Sequence, residues 1–155
     1  MGIRQSLYLI ILLTFVACGS QLEQDVEALV KAKNTWIEKT DSKPYSFTLK
    51  HVRHHSKYNN IPINIRVENQ KIVSAKVLSS GESIQMSSDM PTIKSIFMGI
   101  FEFIKSCEQT KACDSTYLEV EYHEIYGYPK HVKQKYSTGI TPSTELFVSD
   151  VSIEE

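Results

Sequence analysis

The spacing of apolar residues along this chain changes several times, and each change marks an element. Over residues 21–39 Leu22, Val26, Leu29, Val30, Trp36 and Ile37 recur at three- and four-residue steps, which is one stripe of an α-helix facing a core. Asp25 and Glu27 sit early in it and Lys31, Lys33 and Lys39 sit late, as the helix macrodipole favours. Residues 40–44, ending in Pro44, close the helix. From Tyr45 the period falls to two. Tyr45, Phe47, Leu49 and His51 alternate with Ser46, Thr48 and Lys50, predicting a strand with one buried and one wet face. A polar loop follows over 53–60. Ile61, Ile63, Ile65 and Val67 then alternate around Pro62, Asn64 and Arg66. Pro62 places a strand start or an edge there. Glu68-Asn69-Gln70-Lys71 reads as a short hairpin loop, and Val73, Ala75 and Val77 as its return strand.

Residues 79–89 are polar and predict a loop. Asp89 or Thr92 is placed to cap a second helix, with Pro91 tolerated in its first turn. Ile93, Ile96, Phe97, Ile100, Phe101 and Ile104 make a wide apolar face, extended by Met98 and Phe103. This helix is expected to run to about Ser106 and to form the centre of the core. In the stretch 117–136, Leu118, Val120 and Tyr122 alternate with Glu119, Glu121 and His123. The chain then turns at Tyr126-Gly127-Tyr128-Pro129 and returns with Val132 and Tyr136 opposite in phase to His131, Lys133 and Lys135. With the loop centred on Gly127, Glu121 faces Lys133, Glu119 faces Lys135, His123 faces His131, Tyr122 faces Val132 and Leu118 faces Tyr136. Opposite charges across a pair contribute roughly 0.2–1 kcal/mol. After a polar loop over 137–145, residues 146–153 form a last strand. The order is helix, three strands, helix, three strands. Short connections between successive strands imply antiparallel pairing. The fold class is therefore α+β, an antiparallel sheet of about six strands with both helices packed on one face.

The chain has 155 residues, 41% of them hydrophobic, and a formal net charge of −1. That is ordinary for one globular domain. Lys and Arg are scattered, so there is no electrostatic footprint for nucleic acid. The first eighteen residues differ from the rest. Arg4 gives a brief positive region, and residues 7–17 are an almost unbroken apolar run. The run is too short to span about 30 Å of hydrocarbon as a helix, and suits the core of a signal peptide. It ends Phe15-Val16-Ala17-Cys18-Gly19-Ser20, which resembles the lipobox of bacterial lipoproteins, with Phe15 where Leu is usual. That resemblance implies cleavage before Cys18 and lipid attachment at Cys18. No Asp follows Cys18, which implies the outer membrane, facing the periplasm, in a two-membrane bacterium. Two or more acyl chains give stable anchoring. The division is then residues 1–17 as signal peptide, 18–20 as lipidated Cys and short tether, and 21–155 as a single domain. Of the three cysteines, Cys107 and Cys113 remain. An even number in an exported chain suggests a disulfide, and so short a loop contributes only about 2 kcal/mol by chain entropy.

Several short motifs resemble, in order and spacing, the domain-of-unknown-function family six-one-seven-four of small exported bacterial proteins. They are Trp36 before Tyr45-Ser46-Phe47, then Val67-Glu68-Asn69-Gln70-Lys71-Ile72-Val73, and the helix start Thr92-Ile93-Lys94-Ser95-Ile96-Phe97. The last are Gly127-Tyr128-Pro129 with its following strand, and Phe147-Val148-Ser149-Asp150. The resemblance covers roughly residues 36–153. It departs at Gln70, where members often carry Gly, and at His51, His54 and His55, in a region where many carry cysteines. The family implies no catalytic residues.

The remaining candidates for chemistry are few. His51, His54 and His55, with His123 or His131, are residue types that ligate zinc or copper, but on a strand residues 54 and 55 point to opposite faces, and a solvated polar loop accounts for them. Glu119, Glu121 and Glu124 are general acid–base types that a wet strand face explains equally well. Tyr126 and Tyr128 at a turn are a candidate recognition spot or a cover over the end of the core. There is no Ser-His-Asp order, phosphate loop or HExxH motif. The sequence therefore predicts no enzyme and no cofactor. It predicts a lipid-anchored envelope module that binds an unknown envelope protein. The alternative is a periplasmic carrier of a small ligand or metal, using a pocket between sheet and central helix or the histidines.

Overall fold

The computed structural model describes residues 21–40, 42–52, 58–85, 90–110, 116–136 and 143–154. The leader with Cys18, and likewise His54, His55, Asp89 and Cys113, lie outside the described residues. The elements are α1 (Gln21–Thr40), β1 (Tyr45–Val52), β2 (Ile63–Glu68), β3 (Lys71–Val77), α2 (Ile93–Thr110), β4 (Thr116–Tyr122), β5 (Pro129–Tyr136) and β6 (Thr144–Ile153). This is the expected α-βββ-α-βββ order. The six strands form one antiparallel sheet in the order β3-β2-β1-β6-β5-β4. Each helix precedes three sequential strands, and β1 and β6, the first and last strands, meet at the centre.

Both helices pack on one face of the sheet. Phe47 and Leu49 of β1, Ile65 and Val67 of β2, Ala75 of β3, Val132 of β5 and Val148 of β6 are buried there. Over them lie Ile93, Ile96, Phe97, Ile100 and Ile104 of α2 and Leu29, Ala32 and Trp36 of α1. Phe47, Ile65, Val67 and Ile93 are fully enclosed, and a side chain of that kind contributes about 1.5–3 kcal/mol by leaving water. The opposite face carries the polar partners, such as Arg66 beside Ser46 and Lys133 beside Glu145.

Four expectations need correction. In α1 the buried stripe is Leu29, Ala32, Trp36 and Thr40, while Val30 and Ile37 are about half exposed. Ala32 replaces them because the sheet and the β4–β5 loop approach the helix closely there. In α2 the helix continues to Thr110, Cys107 joins its buried face, and Met98 and Phe101 point outward. The span 79–89 is not simply a loop: the chain reverses at Gly81 and runs back beside β3. Ile84 N donates to Ala75 O (2.9 Å) and Val77 N to Glu82 O (2.9 Å), and Ile84 is buried. That return covers part of an otherwise open sheet edge.

The β4–β5 register is the fourth. Glu119 faces Lys133 and Glu121 faces His131, with Leu118 opposite Gln134. This is a shift of two residues from a loop centred on Gly127. The cause is a six-residue loop, 123–128, closed by His123 N to Tyr128 O (2.8 Å) and Gly127 N to His123 O (2.8 Å). A bulge between Glu121 and Tyr122 then sets Tyr122 against Pro129. An even shift keeps every side chain on its predicted face.

Positive φ at two of the turns bears on stability. Asn69 (48°) and Gln70 (63°) both take it between β2 and β3, as a two-residue hairpin turn of type I′ requires. Gly127 (φ 74°) lies against α1, so close that a Cβ would stand 2.3 Å from the Ala32 carbonyl oxygen and 2.9 Å from Thr35 Cβ. Gly127→Ala is expected to destabilise by about 3 kcal/mol, combining left-handed strain with overlap against backbone, read as a lower urea midpoint at unchanged slope. Gly99→Ala, in an open helical position with nothing within 4 Å of the added Cβ, should instead stabilise by about 0.5–1 kcal/mol. Gln70→Gly should raise stability by about 1 kcal/mol, or about 2–4 °C in a melting scan, because glycine takes φ 63° without penalty.

Candidate functional site

Helix α1 ends in a turn that shapes a cavity. Thr40 is buried, and its hydroxyl donates to the Trp36 carbonyl (2.8 Å). Ser42 then takes φ 61°, and Lys43 N donates to Thr40 O (2.7 Å), a left-handed helix stop. Across from it α2 begins at a cap, where the Thr92 hydroxyl accepts from Ser95 N (3.1 Å). Between these ends and the β2–β3 turn lies a cavity of about 200 Å³. Trp36, Tyr45, Phe97 and Ile37 give it an apolar floor and side. Lys33, Lys43 and Lys94 stand round it, and Gln70 and Ser42 complete the rim. The Gln70 carbonyl oxygen accepts from the Lys94 ammonium. Among the described residues no carboxylate lines the cavity, and none forms a salt bridge to any of the three lysines.

The floor is rigid. Trp36 meets Tyr45 edge to face at 5.1 Å and Tyr128 at 6.1 Å. Tyr128 in turn stacks on His123 at 4.7 Å. Burial pushes the Tyr45 phenol up to about 12, against the opposite pull of its hydrogen bond with the Ile93 backbone. Tyr45 therefore stays neutral at ordinary pH. The cavity offers positive charge, aromatic surface and a neutral phenol.

Most residues singled out in the sequence stand elsewhere. Tyr128 is 6% exposed and belongs to the core. Tyr126 is 37% exposed beside Ile125 at 63%, at the tip of the loop. That tip is held from beneath, since His123 Nδ1 accepts from Ile125 N and Tyr126 N, both at 3.3 Å. His51 pairs with Leu146 on the helix-packed side of the sheet, whereas His131, facing Phe147, lies on the open side. His123 is committed to its loop. Among the described residues no group of three or more His, Cys, Asp or Glu is arranged to hold a metal ion. Cys107 is buried at the end of α2.

The described carboxylates of β4 to β6 form a charged surface. Glu121 lies 3.1 Å from Lys130 and 3.9 Å from His131 Nδ1. Glu145 lies 3.2 Å from Lys133 and 3.7 Å from His131 Nε2. The Lys133 hydrogen bond holds the Glu145 carboxyl below its usual range. Glu124 is exposed in the loop. His131 stacks on Phe147 at 4.5 Å, and Lys50 Nζ sits 5.3 Å over the same ring.

The cavity was legible in the sequence only in part. Trp36, Tyr45 and Phe97 stood out as core positions, but Lys33, Lys43 and Lys94 carry no local signal. They converge because α1, its stop and the start of α2 meet in space.

The fold defines the class: a two-layer α+β domain with a cavity of about 200 Å³ between the end of α1, the start of α2 and the β2–β3 turn. The profile of a family of unknown function, DUF6174, matches residues 28–151. The chain belongs to that family. No curated protein and no solved structure gives a significant match.

Two buried phenols give a pH prediction. Burial raises Tyr122 as well as Tyr45 to about 12, in Tyr122 with help from the Asp25 charge. An unfolded tyrosine ionises near 10.0. Between these values the unfolded chain loses protons that the folded chain keeps, so stability falls as pH rises. Denaturation midpoints are expected to hold to about pH 9.5 and to drop steeply from about pH 10 to 12. Tyr122→Phe should flatten that slope, and tyrosinate absorbance should show Tyr45, Tyr122 and Tyr128, which burial also raises, ionising late.

Proposed function

We propose that this is a lipid-anchored protein of the bacterial cell envelope that binds a ligand and does not catalyse. Its binding site is the cavity between α1, α2 and the β2–β3 turn. The single observation that carries the reading is that cavity, an aromatic floor ringed by three lysines that no described carboxylate neutralises. A site built for transfer chemistry needs a nucleophile with a base beside it. The lining here supplies ammonium groups, a neutral phenol, the Gln70 amide, the Ser42 hydroxyl and a Thr40 hydroxyl already donating to Trp36, with no carboxylate or imidazole among the described lining residues to act as a base.

The tether is Cys18, acylated after cleavage of residues 1–17. Among the described residues no helix is long and apolar enough to cross a membrane. The lipobox-like end of the leader supports the tether, and Gly19 rather than Asp after Cys18 supports the outer membrane of a two-membrane bacterium, with the domain facing the periplasm. Cys107 and Cys113 form a structural disulfide in this reading, closing the segment between α2 and β4. A second reading, an envelope protein as partner, has its own support in Ile125 and Tyr126, exposed together on a braced loop.

Two measurements test this. Wild-type protein should incorporate labelled palmitate in growing cells and Cys18→Ser should not; an unlabelled wild-type protein would remove the tether. Trp36 is the chain's one tryptophan and lines the cavity, so its fluorescence reports occupancy. A panel of neutral, cationic and anionic small ligands should contain at least one that changes its emission saturably, and silence across the panel would sink the cavity as the site.

A further inference from the structure

We infer that the cavity takes the head of a single-chain anionic amphiphile, a carboxylate or phosphate on an unbranched alkyl chain. The chain leaves along the seam between α1 and α2. The inference rests on the cavity reading above and adds the class of ligand.

Charge is the first argument. Lys33, Lys43 and Lys94 surround one opening with no described carboxylate among the lining residues. Exposed charges of this kind hold a hydrated anion weakly, at roughly 0–1 kcal/mol per pair. A purely polar anion would also leave Trp36, Phe97 and Ile37 facing water-filled space. The ligand therefore needs an apolar part joined to its charge.

Size is the second argument. A cavity of about 200 Å³ lies below the roughly 300–1,000 Å³ of pockets that enclose a whole drug-sized ligand. It holds a head group and the first carbons of a chain. The rest must lie outside, against apolar surface that starts at the cavity mouth. Such surface exists. Ile37 lines the cavity and is 53% exposed, and Val30, two turns earlier on the same face of α1, is 47% exposed. On α2, Phe101 is one turn beyond Phe97, and Met98 one turn beyond Lys94. They are 49% and 51% exposed. Seven helical residues span about 10 Å, enough for a strip of alkyl chain. A peptide fits this strip poorly, because its backbone polar groups would find few partners there.

Binding is read from Trp36 fluorescence with dodecanoate, monododecyl phosphate, dodecanol, dodecyltrimethylammonium, inorganic phosphate and acetate, each below its micelle concentration. Dodecanoate and dodecyl phosphate are expected to saturate one site. Dodecanol and the cation should bind about tenfold more weakly, and the two head groups alone should be silent. The relative strength of the carboxylate and phosphate arms separates a free fatty acid from a lipid phosphate. Replacing Lys33, Lys43 and Lys94 together by Ala should weaken both anions about tenfold, toward the level of dodecanol. Phe101→Ser should weaken them several-fold. Each of these side chains is exposed, so melting temperatures should stay unchanged. Equal binding of dodecanol and dodecanoate overturns the anionic class and leaves the cavity reading intact. Inorganic phosphate binding as tightly as dodecyl phosphate overturns the seam. Silence in every arm overturns this inference, and the cavity reading falls with it only when the wider ligand panel is silent too.

Discussion

The pairing of β1 with β6 is the constraint on which the rest of the molecule depends. Every other strand pair in the sheet joins neighbours in sequence, and each is closed by its own loop. β1 and β6 are the exception, with Thr48 beside Ser149 and Val52 beside Glu145. They unite a first α-βββ half with a second. Loop-closure entropy must be met before such a non-local pair forms, so this joint is expected to be the late, slow step of folding. Its register is not regular. Between Ser46 and Thr48 the pairing shifts, and Asp150 takes φ 51° opposite the shift. Asp tolerates that conformation better than most residues. The Phe147-Val148-Ser149-Asp150 motif thus has a physical reason: it is the bulge that lets the closing strand fit the first.

The joint also creates the cavity. Lys33, Trp36, Tyr45 and Gln70 come from the first half, and Lys94 and Phe97 from the second. Neither half holds the site alone. A second lock works beside it, where Gly127 of the β4–β5 loop rests on the Ala32 carbonyl of α1. Next to that contact Tyr128 reaches Trp36, and Trp36 reaches Tyr45. Two motifs far apart in sequence converge in this one cluster. The exposed ion pairs of the sheet, such as Arg66 between Glu68 and Glu154, weigh less, at roughly 0–1 kcal/mol each. What positions the cavity is packing, and among the described residues no carboxylate pairs with the lysines on its rim.

Much of this fold can be read from period alone, because a strand with one wet face has no freedom to hide its alternation. Tyr45, Phe47 and Leu49 announce β1, and Ile93 through Ile104 announce α2. What period cannot show is anything that leaves it unchanged. A two-residue slip of β4 against β5 keeps both faces, so Glu119 and Lys133 pair without altering the pattern. The identity of the buried stripe on α1 is ambiguous for a related reason. Val30 and Ile37 look like better core residues than Ala32, but it is Ala32 that is buried, with its carbonyl against Gly127. Tyr128 and Tyr126, two residues apart at one turn, are equivalent in sequence. Only the direction of the loop makes one core and the other surface. The lysine rim is the extreme case. Residues 33, 43 and 94 share no element, and only the assembled tertiary structure puts them round one opening.

Gln70 shows how these levels meet. A residue with a side chain at φ 63° costs about 1 kcal/mol that glycine would not. Glycine would take that backbone without strain, and the turn here keeps the glycine-like conformation with Gln in it. The return on the strain is specific. From that turn, and with that backbone, the Gln70 amide reaches Lys94 at the start of α2. A lysine in a first helical turn opposes the macrodipole, so nothing in the helix itself favours its being there. Both unfavourable choices become intelligible together: each sets one cation at the mouth of the same cavity, and strain of this kind persists where a site needs a group held in place.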